Sequence, residues 1–311
     1  MELKKYKLGE IGNIQMCKRI LKSETNPYTG IPFYKIGTFG KNADSFIDPQ
    51  LYHRYRNTYS FPKKGDVLIS AAGTIGRSVI YNGEDAYFQD SNIVWIEHDQ
   101  TIVLNEYLYY VLNSIHWTPS KGSTILRLYN DDIKNKEVYL PSISIQKVVS
   151  LVLSNIDHKI KVNRAINQNL EAMAKQLYDY WFVQFDFPEE SASLEVMLWA
   201  YGLGGLNQHI FKVTSANDFP KSFYYFQLLD YVNVFKKMAE ARKTTMGHIT
   251  QDHLQQSTIA IPDNKDIADK FEKLISPIFK QIVKLQEEIS NLIKQRDELL
   301  PLLMNGQITI E

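Results

Sequence analysis

The sequence predicts an α+β fold in which a mixed, β-rich globular domain is joined to two long helices that form an antiparallel coiled coil. Three observations predict it. Short apolar runs separated by turn signals fill residues 1–143, long stretches of helical periodicity cover 149–182 and 271–300, and this succession occurs twice along the chain. A globular unit followed by a long helix, repeated once, indicates a pseudo-two-fold object with a helical spine.

The repeat is defined by apolar positions at a constant separation. The two helical stretches match at an offset of 122 positions (271 − 149 = 122). The match continues upstream with small insertions, but residues 1–88 have no counterpart, so the second globular unit is predicted to be truncated. The matched pairs are Val149 with Phe271, Val152 with Leu274, Ile156 with Ile278, Ile160 with Ile282, Leu170 with Leu292, Leu177 with Leu299, Leu140-Pro141 with Ile261-Pro262, Asn92 with Asn207, Ile96 with Phe211, and Tyr109-Tyr110 with Tyr224-Tyr225.

Composition limits the class of protein. A length of 311 residues favours about two domains, and an apolar share of 44% is enough for an ordinary core. The 35 basic and 35 acidic residues cancel, so any nucleic-acid binding must come from local patches. Cys17 is the only cysteine, which favours a reducing cytoplasm. Neither an apolar leader nor a run of 18 apolar residues occurs, so the sequence predicts no secretion and no membrane span.

The first domain is predicted to be rich in short strands bounded by turn signals. Asn82-Gly83 is a dipeptide typical of a hairpin, and apolar residues at helical spacing predict a helix over Asn105–Ser114. The remaining predicted elements are strands at Phe33–Ile36, Val67–Ser70, Ser78–Tyr81 and Ile93–Ile96, a short turn or helix at 131–135, and a strand at Glu137–Leu140 that Pro141 stops.

The first long helix is predicted to begin at Ser154 and to end near Phe182. Ser154–Asp157 has the pattern of a capping box, and a shorter helix is predicted before it at 145–153. The predicted organisation is a first domain at 1–143, a first spacer helix at 144–187, a truncated second domain at 188–262 and a second spacer helix at 263–311.

The second long helix is predicted to begin at Ser276-Pro277, because proline is tolerated at the first helical position. It is predicted to run to about Leu300, where Pro301 is expected to weaken it, and Asn305-Gly306 offers a stop. Apolar residues recur with alternating spacings of about three and four, which fits either an ordinary amphipathic helix on a core or a coiled-coil pair. The matched length and pattern of the two helices favour the coiled coil. These positions are 278, 282, 285, 289, 292 and 299.

Catalytic motifs are absent from the sequence. It contains no Walker phosphate loop, no H-E-x-x-H, no cysteine pair for zinc and no G-x-S-x-G elbow. The glycine-rich cofactor loop and the Asn/Asp-Pro-Pro-aromatic tetrapeptide of an adenine methyltransferase are also absent. We therefore expect no catalytic residue and no metal site.

The most informative local segment is Gly65–Arg77, GDVLISAAGTIGR, a predicted strand that ends in a loop of small residues. Its two loop glycines would let the backbone approach a phosphate or a base closely, with Arg77 placed to contact it. The alternative interpretation is a tight β-turn with no ligand.

Several segments together resemble the specificity subunit (HsdS) of type I restriction–modification systems. The resemblance covers nearly the whole chain except the junction at 186–206. It is carried by GDVLISAAGTIGR (65–77), the Tyr-Leu-Tyr-Tyr helix, the strand that ends at Leu140-Pro141, the helical segment 160–187 with its WFVQFDF ending, NQHIFKV (207–213), Ile259–Pro262, and the last helix through Leu303–Gly306.

The resemblance implies a non-catalytic subunit that binds double-stranded DNA. In that family, two target-recognition domains each read half of a split site, and the two helices form the coiled coil that spaces them. Methyltransferase subunits dock on this frame and a restriction subunit joins them. The resemblance implies no cofactor on this chain, since S-adenosylmethionine, ATP and Mg²⁺ are bound by the partner subunits.

The DNA contacts are predicted to come from residues 1–143, because the second domain departs from the family pattern. A rival hypothesis is a truncated remnant that acts only as a protein-interaction scaffold without specific DNA binding. Arginine and lysine are natural donors to guanine or phosphate, and hydroxyl side chains address either. The predicted DNA-binding residues are Tyr34, Lys41, Ser70, Gly73, Thr74, Arg77, Lys121, Ser123 and Arg127.

Overall fold

The computed structural model divides into two compact units. The first comprises Met1–Ile156 with Gln295–Glu311, and the second comprises Asp157–Lys294. The predicted domain boundaries differ from this division and stay a prediction. The residues that the structure describes are 2–118, 127–182, 196–201, 203–204, 210–215, 218–241, 261–262 and 264–308, without the side chains of 233 and 235–241.

Ten strands lie in the described part of the chain, all in the first unit. The strands are β1 (Lys4–Lys7), β2 (Asn13–Met16), β3 (Thr25–Asn26), β4 (Ile31–Tyr34), β5 (Phe46–Ile47), β6 (Val67–Ser70), β7 (Ser78–Ile80), β8 (Tyr87–Phe88), β9 (Ile93–Glu97) and β10 (Glu137–Leu140). The helices are α1 (Leu8–Ile11), α2 (Pro49–Thr58), α3 (Asn105–Ser114), α4 (Asn130–Lys134), α5 (Ile143–Phe182), α6 (Lys221–Ala241) and α7 (Lys265–Met304), with a 3₁₀ turn at Lys22–Glu24.

The sheet β2-β9-β6-β7 is antiparallel and separates two cores of the first unit. Alternate side chains of a strand point to opposite faces. Val67 and Ile69 therefore pack with α3 on one face. Leu68 and its cross-strand partner Trp95 pack into a core rich in tyrosine and phenylalanine on the other. Because both faces of the sheet are covered, all four residues of β6 are buried. Ser70 is the last residue of this strand and the first residue of the loop that follows.

A second sheet, in the order β3-β5-β4-β8, places two strand ends side by side. β4 and β8 are parallel, with Tyr34 opposite Phe88, so the segments that follow them leave from the same edge. Asn82-Gly83 forms a turn, in which the Asn82 side chain accepts the Glu84 N–H at 3.0 Å. The predicted hairpin is wrong, however, because β7 pairs with β6 whereas β8 pairs with β4. The Asn-Gly turn instead carries the chain from one sheet to the other.

The predicted start of the first long helix is also wrong. α5 is continuous from Ile143 to Phe182, and the Ser154 hydroxyl donates to the Leu151 carbonyl at 3.1 Å inside the helix. Val149 and Leu153 lie fully buried in the first unit. Their packing favours the helix across Ser154, so the local capping signal is overridden.

α7 begins at Lys265, twelve positions before Pro277, so the predicted start of the second helix is wrong as well. An interior proline costs about 3 kcal/mol, and burial of the preceding turns offsets this. The helix continues past the predicted end near Leu300, through Pro301, to Met304, and the predicted stop at Asn305-Gly306 is confirmed. Gly306 has a φ of +66°, and the Gln307 N–H donates to the Leu302 carbonyl at 2.9 Å.

In the second unit, α5 and α7 pair antiparallel, as predicted. Asn163 donates to Glu288 at 3.1 Å, and Asn167 donates to the Ile282 carbonyl at 3.4 Å. Further along α5, Tyr178 meets Phe271, so the numbers rise on one helix as they fall on the other. The fold class is confirmed.

α6 completes a helical core with these two helices in the second unit. The ring centroids of Tyr178 and Phe226 lie 4.9 Å apart, and Phe271 is fully buried beside them. The buried face of α7 runs through Phe271 and Ile275, whereas Leu274, which the repeat alignment matched, is 48% exposed. The core-facing stripe of α7 is therefore displaced by one position only near its start, where Ile275 and Phe279 are buried, whereas Ile282, Leu285 and Ile289 are buried as predicted.

Positions 122 apart have the same packing role in the two units. Val149 and Leu153 are core residues of the first unit, and Phe271 and Ile275 are core residues of the second. The sequence repeat is therefore matched by the packing role of these residues in each unit.

Candidate nucleic-acid interface

The loop Ser70–Arg77 joins β6 to β7 and is closed by its first residue. The Gly76 N–H donates to the Ser70 carbonyl, and the Arg77 N–H donates to the Ser70 hydroxyl oxygen, both at 2.9 Å. The hydroxyl in turn donates to the Thr74 carbonyl. Ser70 is 1% exposed, so it shapes the loop from beneath, and Thr74 is left exposed at its tip.

Both loop glycines adopt backbone conformations that disfavour side chains. Gly73 has a φ of +65° and is exposed, and Gly76 has a φ of +81° and is buried. A Cβ on Gly76 would lie 2.1 Å from the Cδ1 of Trp117, far inside van der Waals contact. Glycine at 76 is therefore required both by backbone angle and by the ring packed against it.

A second loop, residues 35–41, leaves the end of β4 beside the first. The Arg77 guanidinium donates from Nη1 to the Phe39 carbonyl at 2.9 Å. A Cβ on Gly73 would lie 3.2 Å from Cγ1 of Ile36, which places the two loops in contact. Lys41 is exposed on this loop. Tyr34, at the end of β4, is half-buried, with its ring stacked on Phe88 at 5.9 Å.

A third segment, Gln89–Asn92, follows β8 and leads into β9. The Ala71 N–H donates to the Asn92 carbonyl at 2.7 Å, and Arg127 donates from Nη2 to the Ser91 carbonyl at 3.1 Å. Arg127 itself is paired with Ala72 through an isolated β-bridge. Sequence reasoning missed this segment, although its run of four polar residues after an aromatic strand is a signal typical of a turn.

These three segments and Arg127 form one loop surface, defined here as residues 34–41, 70–77, 89–92 and 127. It carries four basic side chains, Lys35, Lys41, Arg77 and Arg127, against one acidic side chain, Asp90. Lys35 also pairs with Asp44 at 2.8 Å. The surface therefore has a local positive charge within a chain of zero net charge.

The structure brings seven of the nine predicted DNA-binding residues to this loop surface. Lys41, Gly73 and Thr74 are exposed on it, whereas Ser70 is buried below it. Lys121 and Ser123 lie outside the described residues. The half-buried members are Tyr34, Arg77 and Arg127.

Two further findings concern the described residues as a whole. Nowhere in the described ranges do three or more His, Cys, Asp or Glu side chains gather in an arrangement that could hold a metal ion. Among the helices of those same ranges, none is both long and apolar enough to cross a membrane.

Cys17 is packed in the aromatic core, where burial raises the pKa of its thiol to about 12.

The chain combines a β-rich domain that carries a loop surface with two long helices, and comparison with known proteins identifies the family. Residues 1–172 match the family described as the type I restriction modification DNA specificity domain. The chain therefore belongs to this family of type I specificity subunits.

Individual relatives agree with this assignment. A type I restriction enzyme specificity subunit of Haemophilus influenzae is 46% identical over 181 residues, which cover 57% of this chain and 46% of the relative. The MjaIX specificity subunit of Methanocaldococcus jannaschii is 23% identical over 350 aligned positions, covering 81% of this chain and 79% of the relative. The HindI specificity subunit of H. influenzae is 28% identical over 59% of this chain. The chain spans less than half the length of the two Haemophilus relatives, 46% and 41%.

The fold is shared with a solved structure. The crystal structure of a type I restriction-modification system S subunit from M. genitalium superposes with a TM-score of 0.61 at 12% sequence identity. The match covers 97% of this chain and 96% of that one.

Proposed function

We propose that this chain is a non-catalytic DNA-recognition and scaffold subunit of a type I restriction–modification complex, and that residues 1–143 bind one half of a two-part DNA site through the loop surface. The single observation that supports this best is the convergence of three loops on one positively charged surface. Phosphate contacts fix a protein on the duplex, and base-edge contacts specify the sequence. The loop surface exposes the ammonium of Lys41, the hydroxyl of Thr74 and the backbone of Gly73. These groups can donate hydrogen bonds to phosphates and to base edges.

The same proposal assigns the helices to subunit assembly. On the α5 segment of the second unit, four large apolar side chains are at least 39% exposed: Val162, Ile166, Met173 and Tyr180. Their spacings of four, seven and seven place them along one side of the helix. An exposed apolar stripe of this kind fits a protein partner. We assign it to methyltransferase subunits, which would bring S-adenosylmethionine, with ATP and Mg²⁺ bound by a restriction subunit.

The docking assignment leads to a test with a matched control. Replacing Met173 with glutamate is expected to reduce co-purification of the methyltransferase subunit at least about tenfold, because a charge would enter an apolar contact. Lys161→Glu, a change at an exposed charged position of the same helix, should have a much smaller effect. Equal retention of the methyltransferase by Met173→Glu and the unchanged chain would contradict the assignment.

The second domain is proposed to contribute no sequence readout. Residues 1–88 have no repeat counterpart, and no strand occurs among the described residues between 196 and 262. Sequence-specific binding should then be weak unless two chains associate and supply two intact first domains. The same observation favours the second candidate function, a scaffold without specific DNA binding.

Lys41 provides a test of whether the loop surface contacts DNA. In a complex of this chain with a type I methyltransferase subunit, Lys41→Ala is expected to weaken binding to all DNA sequences and to lower the salt slope by about one, because one phosphate contact is lost. The matched control is Lys64→Ala, an exposed lysine just before the opposite end of β6. DNA binding that both changes leave untouched would contradict a contact between the loop surface and DNA.

A further inference from the structure

We propose that Arg77, Gln89 and Arg127 are positioning residues that lock the three loops into one preformed recognition surface, and that neither arginine reads a base. The inference rests on the proposed DNA-binding function and concerns how the same surface is held. It changes the assignment suggested by residue type alone, in which both arginines are DNA contacts.

The three segments are tied to one another in a closed ring of hydrogen bonds. Arg77 links the loop 70–77 to the loop 35–41 through the Phe39 carbonyl, at 2.9 Å. Gln89 links the loop 35–41 to the segment 89–92, since its Oε1 accepts the Ile36 N–H at 3.0 Å. Each tie joins a side chain of one segment to the main chain of another.

Arg127 closes the ring on the remaining side. Its bridge partner Ala72 lies at the base of the loop 70–77, and its guanidinium donates to the Ser91 carbonyl at 3.1 Å. Ser91 has a φ of +47°, a conformation that an L-residue rarely adopts without support. The hydrogen bond from Arg127 therefore acts at the one point of the segment 89–92 where the backbone is strained.

The geometry favours a supporting role for the two arginines over base reading. Bidentate recognition of guanine uses two donors of one guanidinium fork. Each guanidinium donates from one of its nitrogens to a main-chain carbonyl, which fixes the direction of the group, and both side chains are half-buried. Lys41 and Thr74, in contrast, are exposed on the same surface. A planar, permanently charged donor suits a main-chain tie because it holds its geometry rigidly.

The first measurement needs no DNA. Hydrogen exchange of the free full-length chain should show main-chain amides of 35–41 exchanging about 10- to 100-fold faster in Arg77→Ala, the range expected for loss of a hydrogen bond from a charged donor. Arg127→Ala should have the same effect on 89–92, and Gln89→Ala a smaller effect on both segments. Arg77→Lys keeps the positive charge but removes the planar guanidinium group that donates to the Phe39 carbonyl, so its exchange should resemble that of Arg77→Ala. The control Lys41→Ala should leave exchange unchanged.

The second measurement uses the chain assembled with a methyltransferase subunit. Arg77→Ala should lower the ratio of cognate to competitor binding about tenfold or more, with an unchanged salt slope and an unchanged Tm. A change that merely weakened the fold would lower Tm and both kinds of binding together.

The outcomes separate this inference from the proposed function. Unchanged exchange in Arg77→Ala and Arg127→Ala overturns the lock. It is also overturned if the salt slope falls by about one, which indicates a phosphate contact, or if discrimination is lost at a single base pair only. If the unchanged complex shows no sequence preference, the proposed function fails, while the exchange result still decides whether the ring exists.

Discussion

Phe271→Ala is expected to destabilise the second unit by about 3–5 kcal/mol, the cost of removing a large aromatic ring from a packed core. Phe271 is fully buried, and its ring centroid lies 5.0 Å from that of Phe182, 5.8 Å from that of Tyr178 and 6.0 Å from that of Phe226. It thus contacts residues of both α5 and α6, and its loss leaves a cavity among all three helices.

The measurement is native-state hydrogen exchange of the α6 main-chain amides, which reports opening of this unit separately from the first. Leu274→Ala is the matched control, since Leu274 lies on the same helix and is 48% exposed. It should change the opening free energy by no more than about 0.5 kcal/mol. Comparable losses for the two variants would show that the ring is not the centre of the core.

Gly76→Val is expected to abolish sequence-specific DNA binding and to destabilise the first unit by about 2–5 kcal/mol. Two independent effects add. Valine disfavours the φ of +81°, and its Cβ would collide with Trp117 at 2.1 Å. The loop 70–77 must then move. Its movement would displace Thr74 and break the hydrogen bond between Arg77 and the Phe39 carbonyl.

Gly37→Ala is the control for this change. Gly37 is also a loop-surface glycine, but a Cβ there would meet no atom within 4 Å. Binding of the methyltransferase-assembled complex to selected DNA, with Tm measured alongside, should therefore show a large loss for Gly76→Val and little for Gly37→Ala. Adding Trp117→Ala to Gly76→Val should restore part of the stability, because the steric conflict is removed while the backbone strain stays. Full binding by Gly76→Val would show that the loop conformation does not matter.

Elements that rest on local periodicity could be predicted from the sequence. The bounds of β6, β10 and α3 agree with the predicted ranges, since apolar runs and turn residues specify them over a few positions. The starts of the long helices could not be predicted. At Ser154 and Pro277 the local signals favour a helix start, but buried residues in the preceding turns stabilise a continuous helix.

The candidate site was only partly accessible to sequence reasoning. The small-residue loop at 70–77 is recognisable by itself, because two glycines and a strand before them form a contiguous pattern. The partners of that loop depend on the parallel pairing of β4 with β8, which no local pattern specifies. Residue type also did not distinguish residues exposed on the loop surface from residues that hold the loops in place. Ser70 is buried, and Arg77 donates to the Phe39 carbonyl.

The central claim is that residues 1–143 carry the sequence readout through the loop surface. The most direct test is selection from random-sequence DNA by the chain assembled with a type I methyltransferase subunit, followed by footprinting and a mass measurement of the complex. We expect one enriched half-site per chain, lost in Gly76→Val, and a two-part footprint only when two chains are present. A complex with a single chain that protects a two-part site, with bases contacted by residues 188–262, would contradict the account, and so would the absence of any enriched sequence.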